Sequence, residues 1–310
     1  MNSFLRGLQP RDSAAVPLYL LLPLSAAVVY ALGSISIKRA LQDGVVMGQS
    51  FHLSNQVLGL VFLPLLIPGW HRIDWSQVWH PLLMGATFFG GHWLTFLAIR
   101  RGDVSLVTPL MGTKVVFVAL GVVVIAGTMP SPALWLAAVL TTLGIFVMGL
   151  GDLKGGHHML FTIATTLASA VVFGVSDVLV STWARGFGAM PFLAIGSGTV
   201  AVCSLVMWLW QGRPIFFPRG QGTRWAWAGA VFIAVQAMVM GIGLALFDDA
   251  TGINIVYASR GLWVLAIVVL FGSRIGNTEH RDRGRSFLWR VAGTVLLTIA
   301  VVIAVVNRAH

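Results

Sequence analysis

The chain has 310 residues, 57% hydrophobic and 10% charged, where an ordinary soluble domain is about 25% charged. A soluble core cannot use that much apolar surface, so composition excludes a soluble globular protein and points to one that faces lipid. The net charge of +10 does not mark a nucleic-acid binder, because eighteen of the twenty Lys and Arg residues fall in tails, in loops or at the ends of apolar runs.

A spanning helix needs about 20 apolar residues. Ten such segments fit, at 17–37, 48–68, 78–99, 104–126, 132–150, 159–181, 190–210, 224–246, 252–271 and 287–307. The expected fold class is therefore all-α, a polytopic integral membrane protein of ten transmembrane helices. The first span lacks a small-residue cleavage pattern and is followed at once by another, so it reads as a retained helix rather than a signal peptide. The second opens on His52, Ser54, Asn55 and Gln56, a polar first turn from which Asn55 can reach an interior cavity. The third carries Gly90, Gly91 and His92 at its middle, with His92 either facing a cavity or packed as a neutral ring.

The fourth span places Lys114 about ten residues from either end. Pro109 removes the amide that would bond the Ser105 carbonyl, so a kink or a polar contact is expected one turn before Lys114. The sixth span holds Asp177. The seventh holds Cys203, the single cysteine, which excludes an intrachain disulfide and a cysteine-cluster metal site. The ninth carries Arg260, with Tyr257 and Trp263 three residues to either side on one helix face. The fifth and tenth spans have no ionisable residue in their interiors and read as peripheral helices facing lipid or a partner subunit.

Counted over alternate loops, Lys and Arg divide 5 against 13. Short loops rich in these residues stay cytoplasmic, which would put both termini outside. Trp70, Trp75, Trp79, Trp208, Trp210, Trp225 and Trp227 sit at span ends, as an interfacial belt requires.

The chain repeats itself. SAAVVYALGSISIKRAL at 25–41 aligns with ASAVVFGVSDVLVSTWA at 168–184 at an offset of 143, so that Tyr30 faces Phe173 and Ser34 faces Asp177. AIRRGDVSLVTPLMGTKVVFVALGVVVIAG likewise aligns with ALFDDATGINIVYASRGLWVLAIVVLFG, each a helix end, a polar turn and a helix with one central cation. The repeats are expected over 1–155 and 156–310. Five spans per repeat is odd, so the second half must cross in the opposite sense. Inverted repeats around a midplane site are the plan of many secondary transporters.

Only Lys114, Arg260 and Asp177 fall well inside spans. A charge at a helix centre costs roughly 2.5–3.5 kcal/mol on insertion scales, so all three are expected to face the bundle interior. In one reading Asp177 neutralises a cation and holds helices together. In the other, Lys114 and Arg260 line a site for a carboxylate or phosphate, Arg by bidentate recognition and Lys as a point charge. Asp177 would then bind a substrate ammonium, carry a coupling proton, or tune Lys114.

Asp248–Asp249 lacks the second acidic cluster that divalent-metal diphosphate chemistry needs, and reads as a turn with Asp249 near the N-terminus of the ninth span. His157–His158 is a lone pair without further metal ligands. No phosphate-binding Gly-rich Lys motif appears, and no nucleophile, base and orienter constellation. Neither a cofactor, a metal nor an enzymatic activity is expected.

The span count, the repeated unit and the two turn-to-helix units resemble the drug/metabolite transporter superfamily, EamA type, over nearly the whole chain. The resemblance implies two inverted five-helix bundles around a central cavity, working as a secondary carrier for amino acids, sugars, nucleotide sugars or organic phosphates. Lys114 and Arg260 look like the central cations of its phosphate carriers. Members commonly carry Gly-Glu after the fourth and ninth spans, where this chain reads AGTMPSP and FGSRIGN. They are also described with both termini inside, against the charge count.

The expected protein is a plasma-membrane (bacterial inner-membrane) secondary transporter of a small anionic or zwitterionic metabolite. Its site would comprise Lys114, Arg260, Asp177, Tyr257, Trp263, His92 and Asn55. Its partners would be that substrate, the lipid bilayer and a coupling proton or counter-substrate, in a monomer or homodimer. The alternatives are a broad-specificity drug/metabolite exporter and a non-transporting lipid-handling protein.

Overall fold

The computed structural model describes residues 18–101, 107, 110–150, 159–212, 217–264, 266–267 and 285–309, and these residues form helices without a strand. Helix α1 is Leu21–Gln42, α2 Met47–Phe62, α3 Trp79–Arg101, α4 Lys114–Gly121 and α5 Pro132–Leu150. There follow α6 Met159–Phe187, α7 Ala189–Trp210, α8 Thr223–Leu246, α9 Ala250–Tyr257 and α10 Arg285–Ala309. Six helical stretches among the described residues are long and apolar enough to cross a membrane: Leu18–Gln42, Met47–His71, Trp75–Arg100, Met159–Phe187, Ala189–Trp210 and Thr223–Leu246. The other four expected spans fall on shorter apolar helices or run into residues outside the described set.

The helices have no strongly amphipathic pattern because nearly every face is apolar. In lipid that leaves close packing and interhelical hydrogen bonds, rather than hydrophobicity, to choose partners. Small residues mark the crossings. A Cβ on Gly293 of α10 would overlap the Gly144 carbonyl of α5, and a Cβ on Gly85 of α3 would overlap the Gly196 carbonyl of α7.

The partners form a regular set. α1 packs on α8 and α3 on α6; α2 packs on α8 and α3 on α7; α4 packs on α6 and α9 on α1. α4 also meets α5 and α9 meets α10, while α2 packs on α7, α4 on α9 and α5 on α10. α6 also meets α7, α8 and α9, α8 meets α7 and α9, and α5 meets α9, contacts without a counterpart among the stronger pairings of the other helices. Two buried clusters result. One gathers Ala27, Leu53, Val118, Val178, Phe192 and Ala230 from α1, α2, α4, α6, α7 and α8. The other gathers Val115, Leu134, Ala137, Ile255, Leu297 and Ala300 from α4, α5, α9 and α10. Trp70, Trp75, Trp79, Trp210 and Trp227 are exposed at or near helix ends.

Asp248–Asp249 is a turn. Asp249 caps α9, accepting from the Gly252 amide at 2.9 Å and from the Tyr19 hydroxyl at 2.7 Å. Asp248 is exposed and pairs with Arg185 at 2.6 Å. Pro109 and His157–His158 lie outside the described residues.

Candidate functional site

Both cations follow a break in a helix. Before Lys114 the chain turns at Gly112–Thr113, where the Thr113 amide bonds the Leu110 carbonyl at 3.1 Å and the Val116 amide bonds the Thr113 carbonyl at 3.0 Å. These three-residue bonds replace the four-residue α pattern. The Gly112 carbonyl takes a hydrogen bond from the Thr142 hydroxyl of α5 at 3.3 Å, as a backbone acceptor away from water requires. Before Arg260 the chain turns at Ala258–Ser259, with the Ser259 amide on the Val256 carbonyl at 3.1 Å and the Leu262 amide on the Ser259 carbonyl at 2.8 Å. The two breaks and the two cations share one spacing, 146 residues (258 − 112 and 260 − 114).

A cavity of about 240 Å³ opens between α1, α2, α3, α4, α6, α7, α8 and α9, with no lining residue from α5 or α10 among the described residues. Six of the seven predicted site residues line it: Asn55, His92, Lys114, Asp177, Tyr257 and Arg260. Trp263 does not, and it is 36% exposed. The expectation that it shares a face with Tyr257 is corrected here. Six residues along even an unbroken helix set two side chains about 120° apart, and the turn at Ala258–Ser259 interrupts this one.

Lys114 Nζ meets Asp177 Oδ2 at 2.7 Å, with both side chains largely out of solvent. Asp177 Oδ2 takes no further hydrogen bond. No carboxylate among the described residues lies within ion-pair distance of Arg260. Its guanidinium instead covers two aromatic faces, 4.9 Å from the Tyr30 centroid and 4.7 Å from that of Tyr257. Lys114 has a weaker version of the same contact, 5.7 Å from the Phe173 centroid. The charged groups lining the cavity are therefore one neutralised pair and one arginine.

The polar first turn of α2 divides between two faces. His52 and Gln56, four residues apart, turn to α7, where His52 Nδ1 meets Ser204 Oγ at 2.9 Å and Gln56 Nε2 donates to the Ala201 carbonyl at 2.9 Å. Ser54 and Asn55 turn to the cavity. Asn55 Oδ1 accepts from His92 Nδ1 at 2.8 Å, while Asn55 Nδ2, fully buried, has no hydrogen-bond partner. His92 packs among Phe51, Phe88 and Phe173.

Tyr30 and Gln236 are among the cavity residues that the sequence does not single out. Tyr30 was aligned with Phe173 there but given no part in the site; the alignment was itself the signal, since each ring lies under the cation of the opposite half. Gln236 on α8 lines the cavity with its side chain nearly buried. As an uncharged polar residue in an apolar run it gave little to notice.

Residues 17–150 match the EamA-like transporter family. This stretch is an EamA domain. It is consistent with the drug/metabolite transporter superfamily, and members of the family are transporters. The EamA domain holds α1 to α5, and so Tyr30, Asn55, His92 and Lys114; Asp177, Tyr257 and Arg260 lie beyond it. The apolar helices and this match support an integral membrane protein, and the family matched is one of membrane transporters. No curated protein matches the sequence. Among 27 solved chains that match in structure, one titled "Crystal structure of protein" superposes with a TM-score of 0.71. It covers 94% of this chain and 97% of its own at 16% identity, which is a likeness of fold.

Proposed function

We infer that the chain is a secondary active transporter, moving a small anionic or zwitterionic metabolite across the plasma membrane by alternating access. The observation that carries the substrate class is Arg260, a cation in the cavity wall with no carboxylate partner among the described residues. An uncompensated buried charge is expensive, and a visiting carboxylate or phosphate removes that expense with two parallel hydrogen bonds. Tyr30 and Tyr257 hold the guanidinium plane in place between visits.

The mechanism draws on ten spans in two inverted halves, 1–155 and 156–310. Its support is the packing: exchange α1–α5 for α6–α10, and the paired helix contacts named above turn into one another, α1 on α8 becoming α6 on α3. The contacts of α6 with α7, α8 and α9, of α8 with α7 and α9, and of α5 with α9 depart from that exchange. A carrier that switches access by rocking two related bundles needs two packings of similar energy, which such halves provide. The helix breaks before Lys114 and Arg260 would be the places where the walls bend. A coupling proton or counter-substrate would drive the cycle, in a monomer or in a dimer formed through the peripheral helices.

The test is a thermal-shift screen of the purified protein against anionic, zwitterionic and cationic metabolites, with Arg260→Met beside the wild type. Anions should raise the melting temperature and Arg260→Met should abolish the rise. Stabilisation by cations alone, or by anions equally in Arg260→Met, would remove the basis for an anion site.

A further inference from the structure

We propose that the Arg185–Asp248 ion pair is a latch: it holds one end of the cavity shut and must break for substrate to pass there. The proposal rests on the alternating-access reading and gives it a gate.

The pair lies at the end of the bundle where α1 and α9 begin and α6 and α8 finish. The short link from α8 to α9, Phe247 to Asp249, is gripped there from two sides. From α6, Arg185 Nη1 meets Asp248 Oδ2 at 2.6 Å and Nη2 donates to the Leu246 carbonyl. From the turn before α1, the Tyr19 hydroxyl donates to Asp249 Oδ2 at 2.7 Å, and the Tyr19 ring stacks on Phe247 with centroids 4.6 Å apart. With the link fixed to α1 in this way, Arg185 ties α6 to α1, α8 and α9 at one point.

Each tied helix is also a cavity wall. α1 supplies Tyr30, α6 Asp177 and Val180, α8 Leu244, and α9 Tyr257. Leu244 stands two residues before the carbonyl that Arg185 holds. Leu193, one turn into α7, and Leu244, in the last turn of α8, line the cavity at this end, and both are 3% exposed. α7 closes on α8 here, where a Cβ on Gly241 would meet Leu193 Cδ2 at 3.1 Å. An apolar closure thus lies beneath a polar tie.

The tie belongs to one end. At the offset of 143 Arg185 matches Gln42, and at 146 Asp248 matches Gly102, so the repeat does not supply this ion pair a second time. Two access states of similar energy are tipped by small differences. An exposed charge pair is of that size, shifting an equilibrium about 1.5- to fivefold.

The single cysteine makes the latch testable by labelling. In a Cys203→Ala, Ser197→Cys parent, the new thiol stands in the cavity wall one turn beyond Leu193. Membrane-impermeant 2-sulfonatoethyl methanethiosulfonate is applied to intact cells and to inverted membrane vesicles, which present opposite faces. Cys203→Ala, Gln77→Cys, with its thiol in the exposed stretch between α2 and α3, marks the face that carries the latch. From that face, Arg185→Gln and Asp248→Asn should each label about two- to fivefold faster than the parent. From the opposite face they should label no faster. The charge-swapped Arg185→Asp, Asp248→Arg protein should return to near the parent rate. Unchanged labelling in the single variants, an equal rise from both faces, or a swapped protein as fast as the single variants overturns the latch. Labelling of the parent from both faces then leaves alternating access standing. A thiol that labels from one face or neither in every variant removes alternating access, and the latch with it.

Discussion

The Arg260 guanidinium lies over the Tyr30 ring, 4.9 Å from its centroid, and so joins a segment of the second half to the first helix of the first. Lys114 stands over Phe173 in the reciprocal way. Tyr30 and Phe173 occupy matching positions when 25–41 is aligned with 168–184. The mirror fails one turn further on: Asp177 takes up Lys114, but its mate on α1 is Ser34, whose hydroxyl turns back to the Ala31 carbonyl at 3.0 Å. The positive surplus of the cavity thus comes down to a serine where the other half has an aspartate.

Ser34→Asp should therefore build the missing pair. The new carboxylate is expected to take up Arg260 as Asp177 takes up Lys114, leaving a cavity with no net charge. Anion affinity should fall at least tenfold while the folded protein is as heat-stable as before. Calorimetry with a short-chain monocarboxylate and a melting curve read both. Unchanged anion binding in a folded Ser34→Asp protein would show that Arg260 is not the anion's partner.

The Lys114–Asp177 pair predicts a different outcome. Removing one member of a buried pair strands the other, at about 3–5 kcal/mol. Lys114→Met should lower the melting temperature sharply, and adding Asp177→Asn should restore most of the loss, because neither charge then remains unpaired. Additive losses in the double variant would mean that the two side chains do not interact in the membrane.

Much of this was legible in the residues. Charges are rare in apolar runs and cost too much to be incidental, so Lys114, Asp177 and Arg260 stand out, and the offset of 143 between 25–41 and 168–184 points to a repeat. Pairing was another matter. Whether Asp177 takes Lys114 or Arg260 depends on which helices touch, and α4 on α6 is a tertiary fact. Trp263 misled because helical facing was assumed through Ala258–Ser259, where the chain turns. Gln236 stayed hidden because a neutral polar residue in an apolar span gives no charge to account for.

The aromatic contacts should matter through orientation. A cation over an aromatic face is worth about 0.5–2 kcal/mol. Tyr30→Leu removes one of the two rings that hold Arg260 and should weaken anion binding by roughly twofold to thirtyfold. Tyr30→Phe keeps the face and should bind nearly as the wild type does. The same loss in both variants would assign the effect to the hydroxyl and not to the ring.

The last prediction concerns helices that leave the cavity alone. Gly144 and Gly293 bring α5 and α10 together at a distance that admits no Cβ on Gly293 without displacing the Gly144 carbonyl or Met148. Gly293→Val forces the helices apart. Overpacking of this kind costs about 1–3 kcal/mol, to be read as an earlier unfolding transition in detergent. Because no described residue of α5 or α10 lines the cavity, the protein that remains folded should bind anions with wild-type affinity. A loss of affinity without a loss of stability would reveal coupling between this helix pair and the cavity walls. The route for such coupling is already in place, since the Thr142 hydroxyl of α5 holds the Gly112 carbonyl at the break before Lys114.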